Sequence, residues 1–147
     1  MTTLRDSVIA RVAGAMVRFP RSSGLGVLVP GGFIVTAAHC IDWTTPGMMT
    51  ISHSEEIVAT FARPLKASAL AVEPVSDLAV LGAGTAETPE EVGAFKNFCE
   101  TTKPVPLAMD ELRWYTPFPA FVVARKDAIV PVDVELAPGR PQGGLPI

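Results

Sequence analysis

The chain has 147 residues, 48% of them hydrophobic, with a mean hydropathy of +0.35. That is enough apolar material for the core of one domain or two very small ones, and too much for a disordered chain. Its 12 basic and 15 acidic residues give a net charge of −3 and are dispersed, so neither the basic footprint of a nucleic-acid binder nor a polybasic membrane-surface run is present.

Arg5, Asp6, Arg11 and Arg18 interrupt the N-terminal stretch, which lacks the apolar run of a secretory signal, and a cytoplasmic location is expected. Val8, Ile9, Val12, Met16, Val17 and Phe19 predict the first buried segment of a barrel. Gly24–Val29 and Phe33–Ala38 are two apolar runs around Pro30-Gly31-Gly32, where a fixed φ is followed by two permissive ones, and they predict a β-hairpin. Its second arm carries the β-branched Ile34, Val35 and Thr36 and steps down to the small pair Ala37-Ala38, leaving room for an imidazole, His39, at the strand end.

Turn clusters at Pro20–Gly24, Thr44–Gly47 and Pro64 separate further strands over Met48–Ile51, Ile57–Ala62 and Leu70–Val75. Leu78–Leu81 is continuously apolar and reads as a short strand buried on both faces. Residues 7–85 therefore predict one six-stranded barrel. Within residues 86–117, Thr88-Pro89-Glu90-Glu91 offers an N-cap, a proline at N1 and a capping-box glutamate, so a helix should follow and end by about Lys103-Pro104. Its apolar stripe is Val92, Phe95, Phe98 and Cys99, with Lys96, Asn97 and Glu100 toward water. A proline-rich connection leads to Phe118–Ala124 and Ala128–Leu136, a hairpin around Arg125-Lys126-Asp127. Ala137–Ile147, dense in proline and glycine, cannot supply a central strand.

Chemistry concentrates at His39 and Asp77. An aspartate opening a buried strand can accept the Nδ1–H of an imidazole and fix its tautomer, so that Nε2 is free to take a proton from a nucleophile. Thr36-Ala37-Ala38-His39-Cys40 resembles the histidine motif of trypsin-like serine proteases. Ser76-Asp77-Leu78-Ala79-Val80-Leu81 is similar to their aspartate motif, 38 positions on and in the family's order.

The resemblance implies an all-β protein with a trypsin-like first β-barrel, one short connecting helix and an incomplete second barrel over residues 118–147. It implies peptide-bond hydrolysis in which His39 is general base and then acid, and Asp77 orients it. A serine should follow in a Gly-[Asp/Thr]-Ser-Gly-Gly context, yet no serine lies after Asp77. The chain as given is therefore expected to be inactive, as a truncated relative of the family, or else a protease-like binding module. The expected partner is a polypeptide substrate or another protein, with self-association through an unfinished second barrel, and with no nucleic acid and no membrane.

Secreted members of this family pair the cysteine after the histidine with one at the start of the preceding hairpin. Here that place is held by Gly24 or its neighbours, and Cys40 and Cys99 are expected as free thiols. Neither a cofactor nor a metal is implied: His39, Cys40, His53 and Cys99 have poor chelating spacing. Cys99, in the expected helix, is a poor substitute nucleophile. Asp42 reads as turn chemistry, and Glu55-Glu56 as neighbours on opposite faces of a strand.

Overall fold

The computed structural model describes residues 3–42, 54–59, 63–84, 87–108, 115–123 and 129–135. The chain divides into two compact units, Met1–Leu107 and Ala108–Ile147. The expected strand over Met48–Ile51, the turn over Thr44–Gly47, the tip Arg125-Lys126-Asp127, the tail from Ala137 and His53 lie outside the described residues.

The first unit opens on a helix, α1 (Leu4–Ala15), where the sequence predicted a barrel strand. Thr3 explains the difference. Its hydroxyl accepts the Asp6 amide at 3.1 Å while the Asp6 carboxylate accepts the Thr3 amide at 3.2 Å, a reciprocal cap that launches a helix through Val8, Ile9 and Val12. Leu4, Val8 and Val12 follow one another at four-residue spacing, but Arg5 and Arg11 flank them, and of the helix's residues Ala15 alone is buried. The barrel begins at β1 (Met16–Phe19), whose Val17 and Phe19 point inward.

β1 is followed by β2 (Gly24–Val29), β3 (Phe33–Ala37), β4 (Ser54–Ala59), β5 (Leu65–Glu73) and β6 (Leu78–Gly82). They close in the order β1-β2-β3-β6-β5-β4, with every neighbouring pair antiparallel and β4 returning to β1. The β2–β3 hairpin turns as predicted, with Gly31 and Gly32 at φ 96° and 77°, values that cost other residues a steric clash. Alternate residues fill the interior: Val17, Phe19, Leu28, Ile34, Ile57 and Leu81 are fully buried. In β6 this alternation replaces the expected burial on both faces. Ala79 and Leu81 face in, whereas Leu78 stays 45% exposed, because the outer wall of a barrel needs no second apolar layer.

α2 (Pro89–Thr101) forms where its signals place it. The Thr88 hydroxyl accepts the Glu91 amide and the Thr88 amide donates to the Glu91 carboxylate at 2.9 Å. The helix is more than a connection, for Phe95 and Phe98 are buried in the barrel core at the end marked by the β2–β3 turn, beside β5. The chain leaving it stays docked, with the Val105 amide donating to the Leu28 carbonyl at 2.9 Å. No helix among the described residues is long and apolar enough to cross a membrane.

In the second unit, β7 (Phe118–Val123) and β8 (Ile129–Val134) pair antiparallel with Val122 opposite Val130. They form a two-stranded sheet, the hairpin read from the sequence.

Candidate active site

His39 and Asp77 meet at the barrel end opposite α2. β3 ends at Ala37, and Ala38–Cys40 make a single 3₁₀ turn that lifts His39 off the sheet. The strand beneath is pinned on both sides: the buried Thr36 hydroxyl donates to the Leu25 carbonyl at 2.7 Å, and Ala38 is buried. The small side chains at 37 and 38 let the turn lie close to the start of β6.

Asp77 sits at φ 54°, a left-handed conformation that aspartate tolerates better than most residues. It closes a turn, its amide donating to the Pro74 carbonyl at 3.3 Å. The Glu73 carboxylate buttresses that turn by accepting the amides of Val75 at 3.2 Å and Ser76 at 2.5 Å. The Ser76 side chain and amide hold the Glu73 carboxyl below its usual range. Sequence reasoning missed Glu73; its signal was a carboxylate three residues before Ser76, within reach of a turn's free amides.

Three hydrogen bonds then join Asp77 to the 38–39 segment. Its carbonyl accepts the Ala38 amide at 3.0 Å, Oδ1 accepts the His39 amide at 2.9 Å, and Oδ2 lies 2.5 Å from His39 Nδ1. The amide bond fixes the carboxylate plane so that its second oxygen is aimed at the ring. These contacts, led by the backbone bond from His39, lower the Asp77 pKa and favour the carboxylate. With Nδ1 engaged, Nε2 is the nitrogen left to exchange a proton, and the imidazole side chain is 74% exposed.

The other residues singled out in the sequence lie elsewhere. Cys40 packs against Gly24, where a β-carbon would stand 2.6 Å from Cys40 Sγ; Cys99 lies by Gly32, 3.8 Å by the same measure. Those glycines mark opposite ends of the β2–β3 hairpin, roughly 20 Å apart for a six-residue strand, so the thiols are free. Burial in α2, with Glu100 beside it, raises the Cys99 pKa, the reverse of what a nucleophilic thiol needs.

Asp42 does more than cap a turn. It pairs with Arg21 at 3.0 Å, and Arg21 also reaches the Glu55 carboxylate at 2.7 Å. Glu55 is buried and takes the Asp42 amide as well, while Glu56 faces out, as neighbours on a strand must. This cluster ties the β1–β2 connection, β4 and the chain after His39 together. No group of three or more His, Cys, Asp or Glu side chains among the described residues is placed to hold a metal.

No family model and no curated protein matches this sequence. Among solved structures, the chain is similar to the Rv3671c protease in an inactive form, with a TM-score of 0.55 at 15% identity over 96% of this chain and 64% of that one. It is also similar to a serine-to-alanine mutant of Rv3671c from M. tuberculosis H37Rv in an inactive form, with a TM-score of 0.52 at 15% identity over 93% of this chain and 60% of that one. The chain thus spans less than two thirds of the length of either structure. At this identity the likeness is one of fold. With its closed six-stranded barrel, second small sheet and few helices, the protein has a trypsin-like, protease-type barrel fold.

Proposed function

We propose that this chain carries the base and orienting acid of a serine endopeptidase of the trypsin-like family. His39 is the general base and later acid, and Asp77 holds its tautomer and stabilises the imidazolium. The observation that carries this reading is the 2.5 Å approach of Asp77 Oδ2 to His39 Nδ1 while Oδ1 is held by the His39 amide. A carboxylate fixed by one backbone donor and turned onto an imidazole suits a base that must take a proton at Nε2 from a serine hydroxyl and return it to a leaving amine.

No serine follows Asp77 in the sequence, so the acylated nucleophile and the oxyanion hole beside it have to come from elsewhere.

Hydrolysis of p-nitrophenyl acetate tests the base directly, because an exposed, oriented imidazole attacks this activated ester without a serine. Residues 1–147 should turn it over faster than His39→Ala, with Asp77→Asn falling between the two. The same protein should not react with a fluorophosphonate probe and should not cleave casein above a no-protein blank. A rate indifferent to Asp77→Asn would remove the orienting role. Stoichiometric fluorophosphonate labelling lost in His39→Ala would reveal a nucleophile not identified above.

A further inference from the structure

At the barrel end away from His39 and Asp77, a cleft of about 880 Å³ lies between α1 and α2, over the end of β4 and the start of β5. Its polar lining is basic and neutral: Arg11, Arg63 and Lys103, with Ser7, Asn97 and Thr101, and no carboxylate among the described residues. In a chain of net charge −3 that is a local reversal of sign. The floor is apolar, made by Ala59, Leu65 and Phe98, all buried.

Part of this charge has a structural use. Arg11 Nε donates to the Pro104 carbonyl at 2.9 Å just beyond the C-terminus of α2, and Lys103 stands at the same negative helix end. Arg63 serves no such terminus, since it arrives from the strand side between β4 and β5. Arg11 uses Nε for its bond to Pro104, and a guanidinium has two further nitrogens that can donate. All three cations line the same cleft.

We propose that this cleft binds a small amphipathic organic anion, its apolar body on Phe98, Leu65 and Ala59 and its carboxylate or phosphate head between Arg63, Lys103 and Arg11. The volume falls within the range of small-molecule sites, about 300–1,000 Å³, and an apolar floor with a few convergent polar groups is their usual make-up. A nucleic acid would need a tract of cations that this chain lacks. Bound between the helices, the ligand would link α1 to α2 and stabilise the first unit with the logarithm of its concentration above Kd.

Titration of the whole chain with decanoate, decyl phosphate and decanol, each below its aggregation limit, tests this by calorimetry and by amide shifts at Gly14, Asn97 and Thr101. Decanoate or decyl phosphate should bind and move those amides, the stronger of the two identifying the head group. Decanol should bind at least about tenfold more weakly, the loss expected when charge-assisted hydrogen bonds are removed. Arg63→Glu combined with Lys103→Glu should weaken the anion by a similar factor while the cooperative melt persists. Equal affinity for decanoate and decanol, or shifts confined to other residues, overturns the proposal on the unmodified chain, whatever the variant's folding. Unchanged anion affinity in a folded variant overturns it as well.

Discussion

Gly24 tests the packing at the active-site end of the barrel through two substitutions with opposite outcomes. A β-carbon there would stand 2.6 Å from Cys40 Sγ and 2.7 Å from Cys40 Cβ, inside van der Waals contact with a side chain held next to His39. Gly24→Ala therefore has to displace Cys40 and should cost about 1–3 kcal/mol, as overpacking does. Gly24→Cys presents the same collision with a partner that can bond. A disulfide asks for β-carbons about 3.8 Å apart, so the hairpin must open by roughly 1 Å against the Ser22 hydroxyl bond to the Cys40 carbonyl. The ring would close a loop of about 17 residues, worth about 3 kcal/mol in chain entropy before strain is subtracted. A net gain of about 1–2 kcal/mol in the oxidised protein, abolished by dithiothreitol, is expected in urea melts. Thiol titration under denaturing conditions should find a single free thiol, Cys99, and peptide mapping should join residues 24 and 40. Three free thiols after oxidation, or a bond from residue 24 to Cys99, would refute the placement of Cys40 against β2.

Phe95→Ala, at a side chain 1% exposed in the barrel core, should cost about 3–5 kcal/mol in the same melts. A loss below about 1 kcal/mol would mean that α2 is a loosely attached connection. The Asp77 carboxyl should titrate below its ordinary value when followed by carbon NMR, and because its folded pKa is depressed, the stability it lends is present above the unfolded pKa and lost as pH falls through the folded one. His39→Ala keeps the backbone amide that is the leading cause of that depression, so much of it should survive; complete restoration would assign the effect to the ring instead.

Apart from the His39–Asp77 motifs, what the sequence revealed was local, and what it concealed was either ambiguous or distant. The β2–β3 hairpin was readable because Pro30-Gly31-Gly32 has few alternatives to reversing the chain, and α2 because its cap, proline and apolar stripe agree. α1 was misread although its cap, Thr3 with Asp6, is equally present. Val8, Ile9 and Val12 outweighed it as strand formers, and Arg5 and Arg11 beside the Leu4, Val8 and Val12 row blur its helical periodicity. In Leu78–Leu81 four apolar residues concealed an alternation that only the barrel imposes, one side inward and the other partly wet. Glu55 shares its inward register with Ile57 and Ala59, a hint available from period two. Its partner Arg21 is 34 positions away, and nothing short of the fold brings them together.

Separation along the chain did not conceal the pairing of His39 with Asp77, because two motifs marked the residues, and the sheet supplies the physical reason that they meet. β3 and β6 are direct neighbours, and their register runs from Ile34 opposite Leu81 to Ala37 opposite Leu78, so continuing it by one step sets Ala38 against Asp77. The Ala38 amide to Asp77 carbonyl bond is that next rung, and the His39 amide to Oδ1 bond follows at once. Closing the barrel therefore brings the imidazole and the carboxylate into line with no further folding step. Geometry built this way depends on core contacts more than on the exposed pair itself, for a single rotation of the β3–β6 register would part them. Mutations in the buried layer beneath, at Thr36 or Ala38, should accordingly disturb the pair more than substitutions of the exposed Leu78 or Val75 beside it.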